Sequence, residues 1–303
     1  MGNKKKICFP VTFRGHEARQ KLLLDELRND FDVQIWKPTT SPGAMSVFAI
    51  FCAIEFNNYL SQNQFDAVLI RGDRYELMGL AMVAAYKGLK IIHIEGGDLS
   101  SVIDNKVRHA ITHLSDLHFC TNEESHRRLI SMGLPTNRVW NFGSLDAEFA
   151  ISVKPNRIIA EPYILVAYHG IPGEEENEVT KAVENFKDYK IVNIQGNKDY
   201  GKEFKGEEYA PEDYINLIRF ASVCVGNSSS FLKEASVLGT LVVNVGARQD
   251  KRLKPANVLD VNCYENEITR AIYYQLGKVG AIDHTYFKSD TSIKIAEKLK
   301  EIL

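Results

Sequence analysis

The chain has 303 residues, 45% hydrophobic and 25% charged, the balance of an ordinary soluble globular protein of about two domains. Thirty-seven Lys and Arg against 39 Asp and Glu give a formal net charge of -2, with no basic excess to argue for a nucleic-acid partner. Five scattered cysteines without a CxxC pair and no recognisable signal peptide point to a reducing cytoplasm and no metal.

Short apolar runs alternate with amphipathic ones from the start. Strands are predicted over 7–11, 33–36, 66–70, 89–94, 117–120 and 139–142, and helices over 17–28, 45–60, 74–86 and 123–132. Gly133 ends the last of these as a C′ glycine. The most apolar stretch, 47–54, falls short of the ~20 residues that span a bilayer and reads as a buried helix, so no membrane partner is expected. Residues 153–157, VKPNR, break the pattern and serve as linker between a domain over 1–150 and one over 151–288. The second series has strands over 163–168, 190–194, 222–225, 240–245 and 257–261, with helices over 176–186, 211–220, 230–238 and 265–276. A final helix over 289–303, with Ile293, Ala296, Leu299 and Ile302 at helical spacing, has room to cross back to the first domain. Such alternation indicates parallel sheets with right-handed crossovers. The fold class is therefore α/β: two doubly wound Rossmann-like domains facing across a cleft.

Residues 71–109 concentrate the candidate chemistry. Two predicted strands end in acidic or glycine-rich turns, which puts Asp73, Glu95, Asp98 and Asp104 at one carboxyl edge. Ligands bind at that edge in open α/β sheets. Charges near a core usually destabilise it, so four carboxylates there point to acid/base chemistry. The run 108–113 opens a helix, with His109 and His113 at a spacing that zinc sites use, but no HExxH pattern or cysteine cluster accompanies them. The plainer reading packs this helix on the sheet with Arg108 turned toward the carboxylates. Acid–arginine pairing is likewise the plain reading of Asp104.

In the second domain a predicted strand runs into Gly226-Asn227-Ser228-Ser229-Ser230 and then a helix. Amides at a helix N-terminus bind phosphate, and small residues let a ligand approach the backbone. Glu234, one turn in, is placed to hydrogen-bond a ribose diol. The alternative is a plain serine cap, although three serines exceed the need of one. Farther on, Arg248, Gln249 and Arg252 lie in a loop after another strand, either gripping phosphate through fork-shaped donors or simply solvated. His169, directly after a strand, is a phosphate ligand, a proton carrier near neutral pH, or an exposed loop histidine. With neither GxxxxGK[ST] nor GxGxxG, ATPase and dinucleotide readings lose their main support, and no cofactor is expected.

These pieces form an ordered set: Gly72-Asp73-Arg74-Tyr75-Glu76, His93-Ile94-Glu95-Gly96-Gly97-Asp98, Ile103-Asp104, Arg108-His109-Ala110-Ile111-Thr112, Gly143-Ser144, Tyr168-His169, the 226–230 turn, Glu234-Ala235, and Arg248-Gln249 with Arg252. The set resembles the UDP-N-acetylglucosamine 2-epimerases, and the hydrolysing branch of sialic-acid-type biosynthesis more than the non-hydrolysing one. The resemblance implies a GT-B-like fold with a UDP-sugar substrate, the nucleotide mainly on the second domain. It implies elimination of UDP to a glycal followed by hydration to an N-acetylmannosamine-like sugar. By motif position Glu95 and Asp104 match the acid/base carboxylates, Asp73 a third active-site carboxylate, and His169 a histidine near the diphosphate. Ser228, Ser229 and the following amides match the phosphate turn and Glu234 the ribose ligand, while Arg248 and Arg252 lie in the loop that closes on the nucleotide. Arg14 stands in for the arginine of the family's first loop, whose acidic partner and glycine are not in place here. The segment between Trp36 and Asp66 is shorter than the family's, and Asn105 stands where an acidic residue is usual. A homodimer or higher homo-oligomer is expected. The competing readings are a non-hydrolysing epimerase or a glycosyltransferase of the same fold, and a nucleotide-sugar-binding protein without catalysis.

Overall fold

The computed structural model describes residues 4–12, 16–39, 44–196 and 204–303. Two units organise them. The first runs to Asp98 and includes Val102–Glu148 and Lys288–Leu303, while the second comprises Leu99–Ser101 and Phe149–Phe287.

The first unit follows the order β1 (Lys6–Pro10), α1 (His16–Arg19), α2 (Lys21–Asp30), β2 (Asp32–Trp36), α3 (Met45–Gln62), β3 (Ala67–Arg71), α4 (Tyr75–Tyr86) and β4 (Lys90–Ile94). It continues with α5 (Asp104–Leu114), β5 (Leu117–Cys120), α6 (Glu123–Ser131), β6 (Val139–Asn141) and the first half of α7 (Leu145–Ser152), the helix in which the chain passes to the second unit. The second unit carries β7 (Tyr163–Ala167), α8 (Glu176–Glu184), β8 (Lys190–Asn193), α9 (Pro211–Phe220), β9 (Val223–Gly226), α10 (Ser230–Leu238), β10 (Val242–Val245), β11 (Val258–Val261) and α11 (Glu265–Leu276). The last helix, α12 (Thr291–Ile302), belongs to the first unit.

All strand pairs are parallel. The sheets run β2-β1-β3-β4-β5-β6 and β11-β10-β9-β7-β8. In each, the direction of strand addition reverses beside the first strand of the unit, between β1 and β3 and between β7 and β9. That reversal opens a crevice at the strands' carboxyl ends.

The central strands are apolar on both faces because helices cover both. Along β1, Ile7 and Phe9 join Leu23, Leu24 and Leu27 of α2 and Leu299 of α12. The intervening Cys8 joins Phe48, Cys52 and Phe56 of α3 and Leu77 and Leu80 of α4. In the second sheet Ile164 and Val166 face α8 and α11, whereas Tyr163 and Leu165 face α9 and α10. Four of the five cysteines are buried in these layers.

Four details differ from the sequence expectations. The helix expected over 17–28 is divided at Gln20, whose carbonyl accepts from Leu24 N at 2.8 Å as α2 begins. Residues 145–152, given no helix from sequence, form α7. The helix containing Arg108 begins at Asp104, so Arg108 lies one turn inside α5 instead of opening it. Finally, α3 is not a buried helix. Phe48, Cys52, Phe56 and Leu60 form a buried stripe at four-residue spacing, but Ile50 is 60% and Ile54 53% exposed. An outer-layer helix touches its sheet along one stripe only, and this one carries further apolar residues, Val47, Ile50, Phe51 and Ile54, on its exposed side. Among the described residues no helix is long and apolar enough to cross a membrane.

The chain's end is tied to the first unit by Glu148, whose carboxylate accepts from Ser292 N at 3.1 Å and Ser292 Oγ at 3.0 Å at the start of α12. Thr291 Oγ1 donates to the Phe142 carbonyl at 2.7 Å. Leu299 then fills the layer under α2 and is fully buried. Leu299→Ala is expected to lower the unfolding free energy by about 2–5 kcal/mol, the usual cost of a leucine-sized cavity, read as a fall in the urea midpoint.

Candidate active site

In the first unit the candidate residues follow β3 and β4. The polypeptide leaves β3 at Arg71, turns at Gly72 and presents Asp73. It leaves β4 at Ile94 and presents Glu95, whose φ of 72° is uncommon for a residue with a side chain. Glu95 N donates to the Phe119 carbonyl at 2.8 Å, so the turn is anchored to β5.

Two buried arginines organise these carboxylates. Arg71 donates from Nε and an amino nitrogen to Glu95 Oε1 at 3.0 and 2.7 Å, and the same amino nitrogen lies 2.5 Å from Asp146 Oδ1. Arg108, 1% exposed, pairs with Asp73 Oδ2 and donates to the Asp98 carbonyl at 2.8 Å and to Asn105 Oδ1 at 3.3 Å. Its guanidinium is thus engaged by protein groups. Asn105, with no carboxylate to offer, serves as an acceptor for it. Asp104 is the first residue of α5, half-buried at the positive end of the helix. Asp98 differs from its neighbours. Its Oδ1 accepts from Ser125 Oγ at 2.5 Å, Asn122 Nδ2 at 3.1 Å and Thr121 Oγ1 at 3.4 Å, so it fastens the β4 turn to the start of α6. Within the motif, Arg74 Nε donates to the buried Glu76 at 2.8 Å and stacks over the Tyr75 ring.

His93, fully buried on β4, braces the β3 turn. Its Nε2 lies 3.0 Å from the Gly72 carbonyl and its Nδ1 3.1 Å from Thr112 Oγ1. A carbonyl can only accept, so Nε2 carries the proton and Nδ1 takes the threonine hydroxyl. Burial, and then the nearby Arg108 charge, hold its pKa down at about 4.

In the second unit the candidates surround the ends of β7 and β9, where Ala167 pairs with Gly226. A Cβ at Gly226 would come within 2.1 Å of the Ala167 carbonyl oxygen, and its φ is 140°, so only glycine fits this crossing. Asn227 then clamps the neighbouring loop: His169 N donates to its Oδ1 at 2.7 Å, and its Nδ2 donates to the His169 carbonyl at 2.9 Å. Its own carbonyl accepts from Arg248 at 3.0 Å and Gln249 Nε2 at 2.7 Å. One asparagine therefore gathers three segments that are far apart in sequence.

Ser228 and Ser230 share a 2.7 Å hydrogen bond, and Tyr214 OH lies 2.9 Å from Ser230 Oγ. Ser229 is half-buried at the N-cap of α10 without a side-chain cap bond. The serine hydroxyls therefore do not act as an ordinary cap. The amides of Phe231, Leu232 and Lys233 are bonded to the Ser228 and Ser229 carbonyls at 3.1 Å, so at the positive end of the helix dipole it is the preceding amides of Ser228, Ser229 and Ser230 that suit an anion. Glu234 is 1% exposed on this helix. Arg252 is half-buried, its amide on the Gln249 carbonyl at 3.2 Å. Behind the loop, Glu174 accepts from Tyr168 OH at 2.6 Å and Ala247 N at 2.7 Å. Burial, reinforced by that bond, raises the Tyr168 pKa. A Cβ at Gly246 would meet Glu174 Oε2 at 2.2 Å, so glycine makes the approach possible.

Of the sequence candidates, Asp73, Glu95, Asp104 and Arg108 collect at the first unit's edge. His169, Gly226, Asn227, Ser228, Ser229, Ser230, Glu234, Arg248, Gln249 and Arg252 belong to the β7/β9 end of the second unit or the segments beside it. Arg14 lies outside the described residues. Sequence reasoning missed Arg71, Asp146 and Glu174. An arginine closing an otherwise apolar strand was a signal for the first, whereas nothing local marked the other two. Among the described residues no group of three or more His, Cys, Asp or Glu is placed to hold a metal ion.

The family profile described as UDP-N-acetylglucosamine 2-epimerase matches residues 21–300. The chain belongs to this family. It is 30% identical over 289 residues to the polysialic acid biosynthesis protein P7 of Escherichia coli, covering 83% of this chain and 74% of that protein. It is 29% identical over 269 residues to the hydrolysing UDP-N,N'-diacetylbacillosamine 2-epimerase of Legionella pneumophila, covering 78% and 71%. Among solved structures, the UDP-GlcNAc 2-epimerase of Methanocaldococcus jannaschii, in complex with UDP-GlcNAc and UDP, matches with a TM-score of 0.84 at 14% identity over 98% of this chain and 99% of that one. The fold is thus the GT-B-like one of this family.

The buried histidine carries a consequence for stability. An unfolded histidine binds a proton near its ordinary 6.5, whereas folded His93 refuses it down to about 4. Below pH 6.5 the unfolded state therefore binds more protons, and the unfolding free energy falls as pH drops toward 4. His93→Gln is expected to flatten that dependence in urea titrations between pH 7 and 4. Some slope remains because burial also holds His118 down, to about 3.

Proposed function

We propose that this protein is a hydrolysing UDP-N-acetylglucosamine 2-epimerase, converting a UDP-N-acetylglucosamine-like substrate and water to UDP and an N-acetylmannosamine-like sugar. The observation that carries the reading is the set of carboxylates Asp73, Glu95 and Asp104 following adjacent parallel strands, two of them held by buried arginines or their neighbours. Inverting a carbon needs a proton acceptor and a proton donor at fixed places. The naming of relatives such as the Legionella protein as hydrolysing supports this outcome over simple epimerisation.

In this mechanism Glu95 and Asp104 divide the acid and base roles. A carboxylate removes the C2 proton, the C–H electron pair becomes the C1–C2 double bond, and the C1–O pair departs with UDP. Water then adds across the glycal, its oxygen to C1 and a proton to the other face of C2. Asp73, set by Arg108, is the third carboxylate at the sugar, so Arg108 contributes to binding through Asp73. On the second unit the amides at Ser228, Ser229 and Ser230, in the turn that leads into α10, hold the diphosphate, with His169 beside it. Glu234 binds the ribose, and Arg248, Gln249 and Arg252 close over the nucleotide while Gly226 and Asn227 shape the turn. No metal or organic cofactor enters.

Proton and phosphorus NMR with UDP-N-acetylglucosamine in deuterated water is the direct test. Free UDP and an N-acetylmannosamine carrying deuterium at C2 are expected. UDP-N-acetylmannosamine would instead place the protein in the non-hydrolysing branch, and UDP binding without turnover would refute the assignment for this substrate. Glu95→Gln is expected to lower kcat by about 100-fold or more with UDP affinity unchanged. Glu234→Ala should weaken UDP binding in calorimetry, and an unaltered affinity would mean that the ribose lies elsewhere.

A further inference from the structure

Arg71 ends a strand that is otherwise apolar, and its side chain is 5% exposed. Burying a guanidinium is costly unless carboxylates compensate it. Burial alone works against its charge, but Asp146 and Glu95 outweigh that and raise its pKa. The compensation is directional. Two of its N–H groups converge on a single oxygen, Glu95 Oε1, while Asp146 approaches from the first turn of α7, a separate element. Arg19 lies 3.9 Å from the same Asp146 oxygen, so two cations and two carboxylates alternate in a row.

Glu95 needs such a holder. Its left-handed φ places it just beyond β4 with its amide anchored to the Phe119 carbonyl, but an anchored backbone leaves the long side-chain torsions of a glutamate to be fixed by a partner. A flexible carboxylate makes an inefficient proton acceptor, since an ångström of misplacement costs about 100-fold in rate. A planar fork braced from behind fixes both its position and its plane.

We propose that Arg71, braced by Asp146, is the positioning residue that sets the Glu95 carboxylate for removal of the C2 proton. This assignment rests on the reading that the reaction begins with that removal. The guanidinium occupies both lone pairs of Oε1 and so fixes the carboxylate plane with Oε2 as the atom that takes the proton, which gives Glu95 the proton-accepting role and leaves proton return to Asp104.

The test combines Arg71→Met, Arg71→Lys and Glu95→Gln with substrate deuterated at C2. Arg71→Met is expected to lower kcat about 100-fold with KM within about threefold of wild type. The primary isotope effect on kcat should rise, because proton removal becomes the slow step. Arg71→Lys keeps the charge but loses the fork, so it should recover about a tenth of wild-type kcat or less, still with a raised isotope effect. That variant carries the test if Arg71→Met does not fold. In the Glu95→Gln background Arg71→Met should cost no more than about a further twofold, since residues acting as one unit are non-additive. Near-wild-type kcat, or a lower kcat with an unchanged isotope effect and full additivity with Glu95→Gln, would overturn the assignment and leave Arg71 a structural residue. Wild-type protein that turns over without exchange at C2 would overturn the reaction itself, a distinct failure.

Discussion

A parallel strand covered by helices on both faces can carry little besides apolar side chains along its length, and this constraint organises the whole protein. The central strands of both units obey it, with neighbouring residues such as Ile7 and Cys8 buried in opposite layers. Polar chemistry is thereby pushed to the carboxyl ends, where the chain leaves the sheet and the backbone can turn. Asp73, Glu95, His169 and Asn227 all lie within three residues of a strand end. The reversal of strand order beside β1 and β7 then decides which ends have room around them.

The two edges meet different electrostatic demands. At the first, carboxylates near a core require cations, and Arg71 and Arg108 supply them from β3 and α5. Arg71 joins Glu95 to Asp146 through one nitrogen, and Arg108 pairs with Asp73. His93, kept neutral, can brace the Gly72 turn without adding a third positive charge. At the second edge the polar groups are mostly neutral and backbone-directed. Asn227 ties His169, Arg248 and Gln249 to one point, and the start of α10 offers amides, a setting for a ligand that brings its own negative charge.

Glycine and asparagine make these edges possible for steric reasons. Gly226 lets β9 pass within reach of β7, and Gly246 lets Glu174 reach behind the following loop. Asn105 gives Arg108 a hydrogen-bond acceptor without adding a charge.

The sequence by itself determined the α/β class, nearly every strand and helix, and the ordered motifs that place the chain in its family. These are local signals: apolar runs of fixed period, a small-residue turn after a strand, and acids after apolar runs. It misjudged α3, whose apolar residues could not reveal that only one stripe meets the sheet, and it overlooked α7, which follows a glycine-serine pair without a strong periodic pattern. Among the site residues, sequence could place Asp73, Glu95 and Asp98 at one edge but could not separate them. Tertiary structure alone decided that Asp98 is consumed by Ser125, Asn122 and Thr121, and that Glu95 is held through Arg71 by an aspartate 51 positions away in the chain. Pairings of that kind depend on which strand ends become neighbours, and long-range packing sets this where no local pattern records it.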